Sequence, residues 1–433
     1  MPRVILPTKS ISGSLKLPGD KSISHRYAIL GAIAKGHTRI SNYSSGADCI
    51  STLACLREMG VSIEESDTSI TITGLGINGL KPPTRPLDAG NSGSTIRMLS
   101  GILAGQPFET VITGDESLTK RPMQRIITPL EEMGAKIKPS GNGFPPLKIH
   151  GGSLKPIDYE LTTPSAQVKT AVLFAGLYSK GVTSVREPIP TRNHTEIALR
   201  QFGSAVRTEG EAISIEGCQP LTGQEMYVPA DLSSAAFFIT AALLLPGSHL
   251  ILEDVGLNPT RTAFIDLLRK MGADIKVFSK RTSAGEIVGN IEILSPAENI
   301  LGTLRGGVIE GEMTAAVIDE LPILAVLGAV SEQGLTIRNA EELRVKETDR
   351  IATIADNLTQ LGVSTEIFDD GLKIPGQSHF HAAELNSFGD HRIAMAFTVA
   401  ALRADGPCSM VDAEAASVSL PEFYSLLSSV AVT

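Results

Sequence analysis

The chain has 433 residues, a formal net charge of −9 at pH 7, 42% apolar and 20% charged residues, four cysteines and no tryptophan. That length suggests about two or three domains, while the acidic balance and scarce aromatics exclude a general nucleic-acid binder. No run reaches the ~18 apolar residues of a membrane helix, and neither a signal nor a transit segment is evident. Cys49, Cys55, Cys218 and Cys408 are scattered without metal or redox spacing, so reduced thiols in a cytoplasmic protein are expected.

The first motif is Leu17-Pro-Gly-Asp-Lys-Ser-Ile-Ser-His-Arg26, followed by an apolar run over 27–34. Pro18 and Gly19 end an extended segment, Ser22 or Ser24 is placed to cap a helix over 23–34, and Lys21 and Arg26 flank the cap. A helix N-terminus offers unpaired N–H groups and a positive dipole end. With two cations beside it, it suits a phosphate or a carboxylate. The P-loop spacing G-x-x-x-x-G-K-[ST] is absent. A strand over 38–41 comes next, then a helix ending Leu56-Arg-Glu-Met-Gly60 and a strand pair over 61–64 and 69–73.

This unit recurs along the chain. The helix-end phrase returns as Leu130-Glu-Glu-Met-Gly134, Leu199-Arg-Gln-Phe-Gly203, Leu268-Arg-Lys-Met-Gly272 and Leu358-Thr-Gln-Leu-Gly362. Each reads as a helix stopped by a C′ glycine. Ahead of each lies a nearly all-apolar helix, over 95–104, 166–177, 234–245, 315–330 and, in a sixth copy, 391–402. Helices apolar all round are buried. Short strands follow them at 109–113, 182–186, 249–253, 334–338 and 407–411, and strand pairs follow the outer helices at 136–138/147–150, 205–208/212–216, 274–278/290–294 and 364–368/371–374. The sixth copy stops at its outer helix, 422–429, and residues 3–6 are expected to supply the missing strand. The result is an α/β (α+β) chain of six split β-α-β units. Three units fall in a domain at 19–229 and three in a domain made of 1–18 and 230–433.

Polar residues gather where the helices begin. Unit two opens Gly90-Asn-Ser-Gly-Ser-Thr95, and its outer helix opens Leu118-Thr-Lys-Arg-Pro122. Unit three opens Thr163-Pro-Ser-Ala-Gln-Val168, with Pro190-Thr-Arg-Asn-His-Thr195 further on, and unit four opens Pro229-Ala-Asp-Leu-Ser-Ser234, followed by Asn258-Pro-Thr-Arg261. Unit five contributes Leu343-Arg-Val-Lys-Glu-Thr-Asp-Arg350 and unit six Phe388-Gly-Asp-His-Arg392. Singly, Asp231, Asp349 and Asp390 read as N-terminal dipole partners, Asn91 as a turn residue and His194 as a surface group. Arg305, His379 and His381 read as loop residues rather than a metal site. Asp319 stands out within the apolar run, where a carboxylate needs a partner or a task. Lys346 and Arg350 are one helical turn apart with Glu347 between them, and a bound anion would offset cations at that helix start.

These motifs resemble 5-enolpyruvylshikimate-3-phosphate synthase over essentially the whole chain. Phrases such as Thr191-Arg-Asn-His-Thr-Glu196 and Ile318-Asp-Glu-Leu-Pro-Ile-Leu-Ala325 are most similar to the bacterial class II branch. The resemblance implies a two-domain inside-out barrel with a cleft between the domains. It implies transfer of the enolpyruvyl group of phosphoenolpyruvate to the 5-hydroxyl of shikimate 3-phosphate, releasing phosphate, in the pathway to chorismate and the aromatic amino acids. No cofactor and no metal are expected. By the same resemblance, Lys21, Asn91, Gly93, Arg121, Gln167, Arg350 and Arg392 would hold phosphoenolpyruvate. Lys21, Ser22, Arg26, Ser165, Ala166, Gln167, Arg192, Asp319 and Lys346 would hold shikimate 3-phosphate. Asp319 would take the hydroxyl proton, and Glu347 would protonate the methylene with help from Lys21. The protein is expected to be a monomer with no nucleic-acid or membrane partner.

Three positions differ from one or another set of relatives. Gly93 stands where many class II members carry alanine, which makes glyphosate a candidate inhibitor of this protein. A C-terminal lysine of some relatives has no counterpart near Val418, and Arg192 stands where the class I branch often has tyrosine. Two alternatives remain: UDP-N-acetylglucosamine enolpyruvyl transferase, which uses a mobile-loop cysteine, and a non-catalytic anion-binding protein on the same repeats.

Overall fold

A computed structural model describes residues 2–66, 69–297 and 304–432. The chain divides into two compact units, one made of 1–17, 230–281 and 287–433, the other of 18–229 and 282–286. Each has its own apolar core. Among the described residues there are six sheets, and one repeat shows the plan on which they vary. Leu87–Asp88 lies parallel to Glu109–Thr113 across the buried helix Gly93–Ala104, and Phe144–His150 then Lys136–Ser140 add antiparallel strands. A parallel pair needs such a crossover, and a helix supplies it.

Two of the parallel partners come from distant parts of the chain. The strand beside Lys35–Ser41 is Glu225–Tyr227, from the far end of the same unit. The strand beside His249–Gly256 is Ser10–Lys16, which also pairs with Ala431–Val432. Arg3–Ile5 runs antiparallel to Cys408–Val411, completing the sixth sheet. The fourth strand pair is longer than its sequence pattern: Asp274–Ser283 and Glu286–Leu294 form an extended hairpin, and its tip, 282–286, is grouped with the second unit.

The repeated helix-end phrase has a specific cause. Gly60, Gly134, Gly203, Gly272 and Gly362 all have positive φ, between 86° and 109°. In each, the glycine N–H bonds the carbonyl three residues back, and the next N–H bonds the carbonyl of the phrase's leucine, as in Gly60 N→Arg57 O at 2.9 Å and Val61 N→Leu56 O at 3.2 Å. This is the Schellman arrangement, which satisfies two orphan carbonyls and favours a residue without a Cβ. The sixth outer helix, Phe423–Val430, lacks the glycine and runs straight into strand Ala431–Val432.

The inner helices are buried over most of their length, as their composition requires. Every residue of Leu232–Leu244 is buried, and Phe237 and Phe238 both meet the ring of Phe423 edge-on. One expected helix is interrupted. The run 315–330 forms Glu312–Ala316 and Leu321–Val330, with a break over 317–320. Pro322 lies in the first turn of the second piece, where its missing N–H costs nothing, so the helix restarts there. Asp319 therefore sits in a turn and not within a buried helix.

Candidate active site

Five of the inner helices begin with a side-chain cap. Asp20, Ser92, Ser165, Asp231 and Asp390 accept backbone N–H groups of the following turn at 2.7–3.4 Å. Asp20 replaces the serines expected in the first helix, Lys21–Ile33. Its carboxylate reaches Ile23 N at 2.9 Å, whereas Ser24 turns its hydroxyl to Ser44 N at 3.0 Å. A charged acceptor is the stronger cap at a positive dipole end. Asp349 caps the outer helix Arg350–Gln360 in the same way, at Ala352 N, 3.1 Å.

In the unit of 18–229, the predicted residues form one cluster and one buried anchor. Lys21 opens the first helix and donates to Asp48 Oδ2 at 2.9 Å. His25, one turn on, is buried and bonded to Thr52. Its burial, reinforced by Lys21 and Arg26, holds its pKa well below the ordinary histidine value, so it is neutral at pH 7. Asn91 is more than a turn residue: it donates to Asp115 at 2.8 Å and accepts from Arg121 at 2.8 Å. Gly93 opens the next helix, and a Cβ there would lie 2.8 Å from Arg97 Nη1 and 3.6 Å from Arg121 Nη1. Arg97 in turn donates to Gln167 Oε1 at 2.7 Å, while Gln167 Nε2 donates to Ser94 at 3.0 Å. The amide of Gln167 is thereby fixed in orientation. Ser165 and Ala166 mark the start of the same helix, Ala166–Gly176.

Arg26 is buried, and its guanidinium is occupied within the protein. It donates to Thr195 Oγ1 at 2.7 Å, Ser22 O at 2.7 Å and Thr170 Oγ1 at 2.9 Å. Burial draws its pKa down to about 10, against the pull of Glu196 and Asp20. Arg192 stays partly exposed in the loop before helix His194–Gln201. His194 differs from the expectation of a surface group: it is buried, with Nδ1 2.7 Å from Glu286 Oε1. Apolar neighbours on its helix carry it inward.

In the other unit, Asp319, Lys346, Glu347, Arg350 and Arg392 come together. Arg392 donates to the backbone oxygen of Asp319 at 2.8 Å, and its Nη2 is 3.7 Å from the carboxylate. Arg350 is buried, with Nε 2.7 Å and Nη2 3.2 Å from the two oxygens of Asp390, and it reaches Glu347 at 2.5 Å. Burial alone would lower its pKa, but Asp390 and Glu347 raise it. Lys346 is drawn below the ordinary lysine value by burial, with Asp319 the largest opposing influence. Contrary to the sequence pattern, Lys346 and Glu347 are not on a helix. The segment Glu341–Val345 is a short 3-10 turn, and the helix starts only at Arg350. Asp349 is the better cap, so the helix begins after it and leaves Lys346 and Glu347 in the preceding loop.

Several partners escaped the sequence reading: Asp48 beside Lys21, Arg97 beside Gln167, and Lys169 within the third inner helix. Each is a charged residue inside or next to a helix whose pairing partner lies far along the chain. Cys49 and Cys55 carry no sign of a nucleophile. Cys49, Cys55 and Cys408 are buried, burial pushes the Cys49 thiol up strongly, and Cys55 is pushed up to about 12. Among the described residues, no group of three or more histidine, cysteine or carboxylate side chains is arranged to hold a metal, and no helix is long and apolar enough to cross a membrane.

A family model described as EPSP synthase (3-phosphoshikimate 1-carboxyvinyltransferase) matches residues 5–427. The chain belongs to the EPSP synthase family. It is 58% identical over 431 residues to the 3-phosphoshikimate 1-carboxyvinyltransferase of Solibacter usitatus, covering 100% of both chains. Its identity to the protein of that name from Koribacter versatilis is 48%, with 98% of each covered. Among solved structures it is similar to the EPSP synthase of Acinetobacter baumannii, with a TM-score of 0.88 and 44% identity over 100% of this chain and 99% of that one. The enolpyruvyl transferase NikO of Streptomyces tendae, at 19% identity and a TM-score of 0.82, shares the fold.

Proposed function

We propose that the protein transfers the enolpyruvyl group of phosphoenolpyruvate to the 5-hydroxyl of shikimate 3-phosphate, giving 5-enolpyruvylshikimate 3-phosphate and inorganic phosphate. Both substrates are multiply anionic, which accounts for arginines and a lysine at helix starts. The observation that carries the reading is the cluster of Asp319, Glu347, Arg350 and Arg392. A pure anion binder would do better without two carboxylates there. An enzyme that must move protons beside an anion needs both kinds of group.

The chemistry assigns roles in sequence. Asp319 accepts the proton of the 5-hydroxyl as its oxygen bonds to C2 of phosphoenolpyruvate. Glu347, with Lys21 assisting, delivers a proton to the methylene carbon, which becomes a methyl group. The tetrahedral intermediate then loses a proton from that methyl and phosphate from C2, and the double bond returns. Arg350, Arg392, Arg121, Asn91, Gly93, Gln167 and Lys21 hold phosphoenolpyruvate. Lys21, Ser22, Ser165, Ala166, Gln167, Arg192, Lys346 and Asp319 hold shikimate 3-phosphate. Arg26, buried and with three internal bonds, serves this role by fixing Ser22. Glyphosate is the inhibitor expected to gain from the absence of a Cβ at Gly93, where one would lie 2.8 Å from Arg97 Nη1.

Steady-state phosphate release from Asp319→Asn and Glu347→Gln tests the assignment. Each is expected to lower kcat by about 10²–10⁴-fold, the usual worth of a general acid or base. Turnover within a few-fold of wild type in both would refute these two roles.

A further inference from the structure

Lys169 is the one charged residue of helix Ala166–Gly176, and it has no exposed surface. A buried ammonium is costly unless it is paired and hydrogen-bonded. Its Nζ donates to Glu187 Oε2 at 2.8 Å and to Glu196 Oε1 at 2.7 Å, and both carboxylates are buried too. The three groups come from three places: the inner helix, the loop after strand Val182–Arg186, and the first turn of helix His194–Gln201. One position along, Thr170 and Thr195 bond each other at 2.6 Å, and both accept from Arg26. Two adjacent rows of polar contacts therefore tie the two helices together.

A buried ion cluster is weak grounds for stability, since apolar side chains of equal volume often serve as well. What apolar side chains cannot supply is direction. The second oxygen of Glu187, Oε1, accepts the hydroxyl of Thr191, and the next residue is Arg192. Glu187 is thus held at one oxygen by Lys169, and at the other it holds the loop that presents Arg192. Through Glu196 and Thr195 the same cluster borders Arg26. We infer that Lys169, Glu187 and Thr191 form a positioning relay that sets Arg192, and with it the affinity for the phosphorylated acceptor substrate. This rests on the reading that Arg192 contacts shikimate 3-phosphate.

Lys169→Met would strand two buried carboxylates and is expected to impair folding, so the relay is better cut at Thr191. Thr191→Val removes one hydroxyl and no charge. The variants to compare are Thr191→Val, Thr191→Ser, Arg192→Ala and the double Thr191→Val/Arg192→Ala, each assayed by phosphate release and thermal melting. Thr191→Val is expected to raise KM for shikimate 3-phosphate about tenfold, roughly the worth of one hydrogen bond to a charged group. The KM for phosphoenolpyruvate and kcat should stay within about twofold. Thr191→Ser should restore the wild-type value, and the double variant should match Arg192→Ala alone. An unchanged KM in folded Thr191→Val, with Arg192→Ala raising it, would overturn the relay and leave the functional reading standing. Fully additive effects would also overturn it, since Thr191 would then act independently of Arg192. If Arg192→Ala itself leaves KM unchanged, the assignment of Arg192 falls and the relay falls with it.

Discussion

Replacing Asp390 tests how Arg350, the arginine proposed to bind phosphoenolpyruvate, is held. Asp390 has no exposed surface and Arg350 is 1% exposed, and the two meet through both carboxylate oxygens. Asp390 also caps helix His391–Ala401. Asp390→Ala leaves a buried guanidinium without its main partner, a loss of about 3–5 kcal/mol, and removes a cap worth about 1 kcal/mol. At about 2–4 °C per kcal/mol for a unit of this size, the melting temperature should fall by about 8–24 °C. Asp390→Asn keeps a cap and an acceptor and should lose about half as much. Acidification gives a second reading. Burial raises the pKa of Asp390, but Arg350 overrides it and holds the group below the ordinary aspartate value. A depressed folded pKa means that the contribution is complete above the unfolded value, about 4, and is lost as pH falls through the folded one. Wild type should therefore lose more stability than Asp390→Asn between about pH 5 and 3. Calorimetric melts of the three proteins across that range decide it. A loss below about 1 kcal/mol for Asp390→Ala, well under the expected range, would refute the reasoning.

Other expectations follow from particular contacts. Lys21→Met removes an ammonium 2.9 Å from Asp48 and should lower kcat/KM by about 10²–10⁴-fold in the phosphate-release assay. Near-normal turnover would exclude Lys21 from proton transfer and phosphate binding. Gly93→Ala places a methyl 2.8 Å from Arg97 Nη1, so the glyphosate concentration for half-inhibition should rise by about 10–200-fold, the discrimination that one methyl affords. Iodoacetamide at neutral pH should label Cys218, which is exposed, and spare Cys49 and Cys55, whose thiols burial pushes up. Intact-mass measurement should find one label and full activity, whereas rapid inactivation prevented by substrate would point to a catalytic cysteine.

The repeat was legible because its strongest signal is local. A leucine, an apolar residue and a glycine at fixed spacing record a Schellman end, and the glycines do have the positive φ that the motif needs. The charged motifs at helix starts were legible for the same reason. Long-range pairing was not. Nothing near residues 10–16 announces a partner at 249–253, and nothing at 225–227 announces one at 39–41. Apolar continuity through 315–330 concealed the break that Pro322 permits. Lys169 was passed over within the apolar helix over 166–177, because the carboxylates that justify it stand 18 and 27 residues away. Asp48 was silent beside Lys21 on similar grounds, being 27 residues distant.

The most direct test of the proposed activity is phosphate release by the purified protein with shikimate 3-phosphate and phosphoenolpyruvate, each omitted in turn. Release that requires both substrates is the predicted result. Release with UDP-N-acetylglucosamine in place of shikimate 3-phosphate, or no release from a folded sample with either acceptor, would contradict it.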